Sequence, residues 1–236
     1  MKKQVDIFIA SLPRSYHIVQ TINSLINQPE VNKIFLVCNN YTDSQYNILK
    51  KEINKYKNVI IFKSDNTLGC SERFKYIYLS TSKYIGFVDD DLIYPENYLS
   101  ILINACDKYK GLVSFHGRIL KKKKSCNYYR HTLIMYHCMK EVVRDVEVDI
   151  IGCGVSLVER ALVPEIINYY EKITDANMDD IYFSYLALEY DLKRIVLAHP
   201  LNYFKAKKID ESDNYIYTKY KNKCSAQTLF INKYFL

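Results

Sequence analysis

From Val5 onward the chain alternates short β-branched apolar runs with stretches whose apolar residues recur at helical spacing, and few folds tolerate that alternation. Val5–Ser11 reads as a strand, after which Ile18, Ile22, Leu25 and Ile26 share one helical face until Pro29 breaks it. Ile34–Cys38 predicts a second strand, Tyr46, Leu49, Ile53 and Tyr56 a second helix, and Val59–Phe62 a third strand. A third helix is expected after Gly69 with Phe74, Ile77 and Tyr78 inward, before Lys83–Val88 returns as a fourth strand ending in Asp89-Asp90-Asp91. Parallel strands need crossovers, and crossover helices cover both faces of a sheet. The pattern therefore implies an α/β fold with a mostly parallel central sheet and helices on both faces. Ligands of such sheets bind beyond the carboxyl ends of the strands. Chemistry is thus expected at Ser11–Arg14, Asn39–Asp43, Ser64–Arg73 and Asp89–Asp91.

Beyond Pro95, a helix carrying Tyr98, Ile101, Leu102 and Ala105 leads into a strand at Leu112–Phe115. Val148–Val158, Ala161–Tyr170, Ile181–Leu192 and Ile195–Ala198 read as strand, helix, helix and strand, whereas residues 117 to 147 show no clear period. No repeat and no Pro/Gly/Ser-rich linker interrupts the chain, so its 236 residues are expected to form a single domain with a basic, Tyr-rich tail at 200–236.

Composition narrows the classes further. Hydrophobic residues at 49% and charged residues at 25% exclude a disordered or fibrous chain. A net charge of +7 favours anionic partners without choosing among nucleic acid, anionic lipid and phosphorylated small molecules. The 7 cysteines are scattered without a C-x-x-C pair, which argues against a disulfide framework and for a reducing compartment. The apolar stretch Val5–Ala10 is too short for a signal peptide, and no apolar run approaches the roughly 18 residues of a membrane span. A cytoplasmic location is expected. Cys126, His131, His137 and Cys138 are zinc-type ligands, but their spacing matches no common zinc pattern, and buried cysteines with histidines on a mobile segment are the preferred reading.

Three consecutive carboxylates after an apolar strand raise one another's pKa unless something cationic gathers them. Mg²⁺ or Mn²⁺, which favour oxygen ligands, would do so, and an Asp-x-Asp pair suits a metal–diphosphate site. A solvated acidic turn, or capping of the helix near Pro95 by Asp90 or Asp91, is the plain alternative. The order and spacing of Pro13-Arg14, Asn39-Asn40-Tyr41-Thr42-Asp43, Asp65 to Arg73 and Phe87-Val88-Asp89-Asp90-Asp91 resemble the family 2 glycosyltransferases, with their GT-A (Rossmann-like) fold. The likeness extends through Ile151-Gly152-Cys153-Gly154 and Glu159-Arg160 to Met178-Asp179-Asp180, covering residues 5 to 199.

That resemblance implies a nucleotide-sugar-binding half at 1–92 and an acceptor-binding, catalytic half at 93–199. It implies that Asp89 and Asp91 bind the metal, with Asp91 in direct coordination and Asp90 facing the ribose or sugar. Ser11, Leu12, Pro13, Arg14 and Asn39 would border the nucleoside, and Asn66 and Arg73 would shape its pocket. Asp180 would be the catalytic base, Asp179 would bind acceptor, and His199 would be a distant third metal ligand. The plain alternatives are helix capping for Asp179-Asp180 and a core or surface role for His199.

The expected activity is inverting, metal-dependent transfer of a sugar from a nucleoside diphosphate, with UDP favoured, to a glycan or lipid-linked glycan, as in surface-polysaccharide synthesis. Lys121–Lys124 read as a solvated loop, with peripheral contact to an anionic membrane as the alternative. A sugar-phosphate nucleotidyltransferase would need a Gly-rich loop after the first strand, and Ala10-Ser11-Leu12-Pro13-Arg14 has none. A nucleic-acid-binding protein would suit the charge and the 23 Tyr, yet the chain carries no recognition signature and places three acids where a ligand should bind.

Overall fold

The computed structural model describes residues 4–13, 17–121, 123, 127–206 and 226–236. Its first half alternates β1 (Val5–Ser11), α1 (His17–Ile26), β2 (Val31–Asn39), α2 (Asp43–Ile53), β3 (Val59–Ser64), a 3-10 helix (Gly69–Leu79) and β4 (Tyr84–Val88). After β5 (Leu92–Ile93) and α3 (Tyr98–Tyr109) come β6 (Leu112–Ser114), β7 (Gly117–Leu120), α4 (Tyr128–His131) and β8 (Thr132–Tyr136). Then follow β9 (Val146–Glu147), β10 (Ile150–Ile151), β11 (Val155–Glu159), α5 (Asp179–Glu189), β12 (Arg194–Val196), β13 (Lys205–Ala206) and α6 (Ala226–Tyr234).

The central sheet runs β3-β2-β1-β4-β11-β6-β12-β9 and so draws strands from both halves of the chain. β3, β2, β1 and β4 are mutually parallel, β11 runs antiparallel between β4 and β6, and β12 is again parallel to β6. A smaller sheet, β10-β7-β8, flanks it. The period-2 alternation of β1 feeds two cores. Val5, Ile7 and Ile9 pack with Ile22 and Leu25 of α1 and with Leu99 and Leu102 of α3. Phe8 faces the other way, stacked on Phe35 at 4.7 Å between ring centroids, and Phe87 meets Phe74 at 4.9 Å and Phe183 of α5 at 5.0 Å. Burial on both faces explains why β1 reads as an apolar run broken only by Asp6 before it ends at Ser11.

Three local expectations are corrected. The helix after Gly69 is 3-10, so residues three apart share its inner face: Phe74 and Ile77 are buried, whereas Tyr78 points out at 56% exposure. The expected strand Val148–Val158 is two strands in different sheets, because Gly152-Cys153-Gly154 turns the chain from β10 into β11. The helix expected over Ala161–Tyr170 is a pair of 3-10 segments, Arg160–Leu162 and Pro164–Lys172, separated at Val163 where Pro164 has no N–H to continue the ladder.

One buried charge fixes the sheet end opposite the strand termini that matter for chemistry. Asp6 is fully buried, and it accepts hydrogen bonds from Ser80 Oγ (2.7 Å), the Thr81 and Ser82 N–H groups (3.2 and 3.3 Å) and Asn32 Nδ2 (2.9 Å). Asp6→Ala leaves those donors unmet and is expected to cost about 2–3 kcal/mol. The check is a lowered urea midpoint at unchanged slope; an unaltered midpoint would refute it.

Candidate active site

Parallel register brings the carboxyl ends of β1, β2 and β4 to one edge, with Ser11 opposite Cys38 and Ile9 opposite Val88. There the Leu12 N–H donates to Asp90 Oδ2 (3.2 Å), and Tyr41 Oη donates to the Leu12 carbonyl (3.0 Å) while lying 3.1 Å from Ser11 Oγ. Ser11, Leu12, Asp90 and the loop after β2 thus form one small network, with Pro13 half-buried beside it. Asn39 is buried; its Nδ2 donates to the Gly69 carbonyl (2.9 Å), and its Oδ1 has no hydrogen-bond partner among the described residues. Asn66 adopts a left-handed φ of 63° and its carbonyl accepts from the Gly69 N–H (3.2 Å), closing the turn that starts the 3-10 helix. Arg14 lies outside the described residues.

Arg73 joins this edge to the second half of the chain. Its side chain is 3% exposed, and its guanidinium reaches Asp89 Oδ1 (3.0 Å), Asp179 Oδ2 (3.3 Å), and the carbonyls of Val88 and Cys70 (both 3.1 Å). Both carboxylates hold its pKa well above the usual guanidinium value against the opposing effect of burial. Asp89 is also fixed through its backbone, whose N–H donates to Tyr94 Oη (2.8 Å) and to the Gly154 carbonyl (3.0 Å). A Cβ on Gly154 would fall 1.8 Å from Asp89 Oδ2, so only glycine lets that carboxylate take its place. Asp91 lines the same cleft as Asp89.

Asp179 and Asp180 open α5, but neither side chain caps it. Asp180 Oδ1 instead accepts the Cys153 N–H (2.6 Å) across the turn between β10 and β11. Asp179 takes the Cys70 thiol (2.8 Å) in addition to Arg73. Desolvation, and then the charge of Asp179, raise the Asp180 pKa far above the ordinary carboxylate range; the Cys153 N–H and Arg118 pull it back only in part. A carboxyl poised this way can accept a proton near neutral pH.

Two adjoining cavities meet at this pair. One, of about 360 Å³, runs past Asp89, Asp91, Arg73, Gly154 and Cys138. The other, of about 600 Å³, is lined by Arg118, Tyr128, Tyr129, Gln227, Asp179 and Asp180 among others. Arg118 lies over the Tyr128 ring at 4.9 Å, and the buried Tyr128 hydroxyl has no partner among the described residues. Sequence reasoning passed over Tyr128, Tyr129 and Gln227, which reach the site only through tertiary contacts: Thr228 of α6 accepts the Tyr128 N–H (2.8 Å), and Gln227 donates to the Asn177 carbonyl (3.1 Å).

The oxygen donors of Asp89 and Asp91 suit a hard divalent cation such as Mg²⁺ or Mn²⁺. His199 is 5% exposed beside Phe115, Tyr203 and Phe204, with Nδ1 2.8 Å from the Leu197 carbonyl and Nε2 without a partner among the described residues. It lines neither cavity. Cys126 and the His131 side chain lie outside the described residues, while His137 and Cys138 come together with His116.

The model of the family described as "Glycosyl transferase family 2" matches residues 7–167, and the chain belongs to that family. That membership favours the glycosyl-transfer reading over the nucleotidyltransferase and nucleic-acid-binding alternatives. No curated protein sequence matches the chain. Among solved structures, S. aureus TarS 1-349 in complex with UDP-GlcNAc superposes with a TM-score of 0.56 at 13% identity, over 90% of this chain and 62% of that one. The same TarS fragment with UDP gives 0.56 and 13% over 84% and 59%. Full TarS gives 0.56 and 13% over 87% and 37%. The likeness establishes the shared GT-A fold, and the chain spans about three-fifths of the length of that TarS fragment.

Gly154→Ala tests the packing at Asp89. The added methyl must push the Asp89 carboxylate away from Arg73, and nucleoside-diphosphate affinity in the presence of Mn²⁺ is expected to fall by about tenfold or more, equivalent to 1.4 kcal/mol. Calorimetry giving wild-type affinity would contradict the assignment.

Proposed function

We propose that this glycosyltransferase moves one sugar from a nucleoside diphosphate, with uridine as the base, to a hydroxyl of a glycan or lipid-linked glycan, inverting the anomeric carbon. The observation that carries this reading is Asp180, a raised-pKa carboxyl between the cleft of Asp89 and Asp91 and the larger cavity. In the step, the Asp180 carboxylate takes the acceptor hydroxyl's proton as that oxygen bonds to the anomeric carbon. The bond from that carbon to the diphosphate oxygen breaks, and its electron pair departs with the diphosphate. An ionised Asp180 also favours the positive charge that builds at the anomeric carbon.

Asp89 and Asp91 would hold Mn²⁺ or Mg²⁺, which when bound neutralises the departing diphosphate. His199 is proposed as a third ligand on its bare Nε2 alone. Arg73 keeps Asp89 and Asp179 in place, and Asp179 borders the acceptor. The unpartnered Asn39 Oδ1, at the nucleoside edge, suits an N–H of a pyrimidine base, and the UDP complexes of TarS support the same base. Ser11, Leu12, Pro13 and Arg14 would border the nucleoside, Asp90 its ribose or sugar, and Asn66 the turn beneath it.

Surface-polysaccharide synthesis in the cytoplasm is the setting proposed, with lysines 121–124 as a peripheral membrane contact. Among the described residues no helix is long and apolar enough to cross a membrane.

Asp180→Asn should leave donor affinity near wild type while transfer falls by about 10²–10⁴-fold. In the wild type, transfer should rise with pH along a limb above the ordinary carboxylate range, because the base acts ionised. The stability sign is opposite. A carboxyl whose folded-state pKa is raised favours folding below its unfolded value and loses that contribution as pH rises through the folded one. At pH 8 the Asn variant is therefore expected to melt no lower than wild type. Transfer within a few-fold of wild type at saturating donor would remove Asp180 from the mechanism. Asp91→Asn is expected to weaken Mn²⁺-dependent nucleotide binding, and unchanged calorimetric affinity would overturn its metal role.

A further inference from the structure

We propose that His116, His137 and Cys138 form a zinc-selective site in the wall of the nucleotide cleft, separate from the carboxylate pair Asp89 and Asp91. Their ligand atoms, one from each side chain, all lie within 4.8 Å of one another. An imidazole pair with a thiol is a soft to borderline donor set that prefers Zn²⁺ to Mg²⁺ or Mn²⁺, whereas the oxygen donors of Asp89 and Asp91 have the opposite preference. Three protein ligands leave a fourth position for water, as in open zinc sites.

The three residues come from two segments of the chain, His116 and the adjacent pair His137-Cys138, and each segment is held locally. His116 links β6 to β7; its N–H donates to Ser114 Oγ (3.0 Å) and its carbonyl accepts the Gly152 N–H (2.8 Å). A Cβ on Gly152 would come within 2.7 Å of both Cβ and Cδ2 of His116, so the glycine is what admits that ring. His137 and Cys138 form the turn after β8, and the His137 carbonyl accepts the Lys140 N–H (2.8 Å). The two imidazoles meet edge to face at 5.0 Å. Burial, helped by Arg118, keeps His116 neutral, the form in which a histidine ligates. His137 Nδ1 now accepts the Met139 N–H (3.1 Å), a local bond that a metal at that nitrogen would replace.

Binding is balanced by one proton. The Cys138 thiol is held protonated, its pKa pushed up to about 12 by burial and then by Asp89 and Asp91. Zn²⁺ entering the site takes the thiolate and releases that proton to solvent. The consequence is mechanical. The turn after β8 already buries Cys138 and leads to a bridge between Val142 and His199, and a metal would add a link from the turn to His116. A metal shared by His116 and that turn staples the small sheet β10-β7-β8 to the central sheet along the cleft.

The other close group, Cys153 with Asp179 and Asp180, is committed elsewhere, since Asp179 pairs with Arg73 and Asp180 with the Cys153 N–H.

The test uses the full chain without a histidine tag, stripped with chelator and titrated with Zn²⁺ or Co²⁺ in the presence of excess Mg²⁺. One equivalent should bind, Co²⁺ should give a near-ultraviolet thiolate-to-metal band, and Zn²⁺ should raise the melting temperature. Cys138→Ser should abolish the band and weaken Zn²⁺ binding by at least about tenfold, while melting like the metal-free wild type. Cys153→Ser and Asp91→Asn should keep the band. Absence of a thiolate band in the wild type, a Cys138→Ser variant that binds Zn²⁺ like wild type, or loss of binding in Asp91→Asn would each overturn the proposal. Because this outcome is read from metal binding alone, it stands or falls independently of sugar transfer.

Discussion

The buried guanidinium of Arg73 is the interaction on which the rest of the site depends. Burying an unpaired cation is costly, and burying carboxylates without partners is costly too. Arg73 sits 3.0 Å from Asp89 and 3.3 Å from Asp179, so one side chain compensates acids from the two halves of the chain. Its remaining donors are taken by the Val88 and Cys70 carbonyls, so the fork is held in orientation as well as in charge. Removing either acid would leave the guanidinium partly uncompensated, and removing the arginine would leave two acids repelling each other. The arrangement couples the end of β4 to the start of α5 more strictly than apolar packing could.

The sheet provides the geometry in which that coupling is useful. β1, β2 and β4 end on one edge because they are parallel, and β11 approaches the same edge from the opposite direction because it is antiparallel to β4. The chain must therefore turn immediately before β11, and it does so at Gly152-Cys153-Gly154. The three residues of that turn act separately. Gly152 admits the His116 ring, the Cys153 N–H holds Asp180, and Gly154 admits the Asp89 carboxylate. The turn thereby lines the smaller cavity and holds Asp180, which lines both.

The first half of the chain was legible in the sequence because its signals are local. Strand period, helix period and the Asp89-Asp90-Asp91 triplet need only a short window, and β1 spans Val5–Ser11 as its apolar run predicts. Legibility failed where a backbone choice depended on distant partners. Tyr78 was expected inside because an α-helix was assumed, and a 3-10 turn moved it out. Val148–Val158 looked like one strand because its apolar residues are continuous, although two different sheets share them. Asp180 was legible as an acid at a helix start. Its bond to Cys153 rather than to its own helix was not, since nothing in the sequence near Asp180 names a partner 27 residues earlier. Tyr128, Tyr129 and Gln227 carry no motif, and only the docking of α6 brings them to the cavity.

Charge balance ties these parts together. The walls of the two cavities carry four carboxyl groups, Asp89, Asp91, Asp179 and Asp180, against two guanidiniums, Arg73 and Arg118, so acids outnumber cations. His116 and His137 do not offset it, because burial lowers both of their pKa values and keeps them neutral. Asp179 has Arg73 within 3.3 Å, whereas Asp180 has one N–H and the weaker pull of Arg118, and burial with the neighbouring Asp179 charge raises the Asp180 pKa. Positive charge entering the cleft favours the ionised carboxylate. Under the proposed function this imbalance would favour a cationic co-ligand beside an anionic donor, and it would leave the proton-accepting role to Asp180, on which Arg118 acts only weakly.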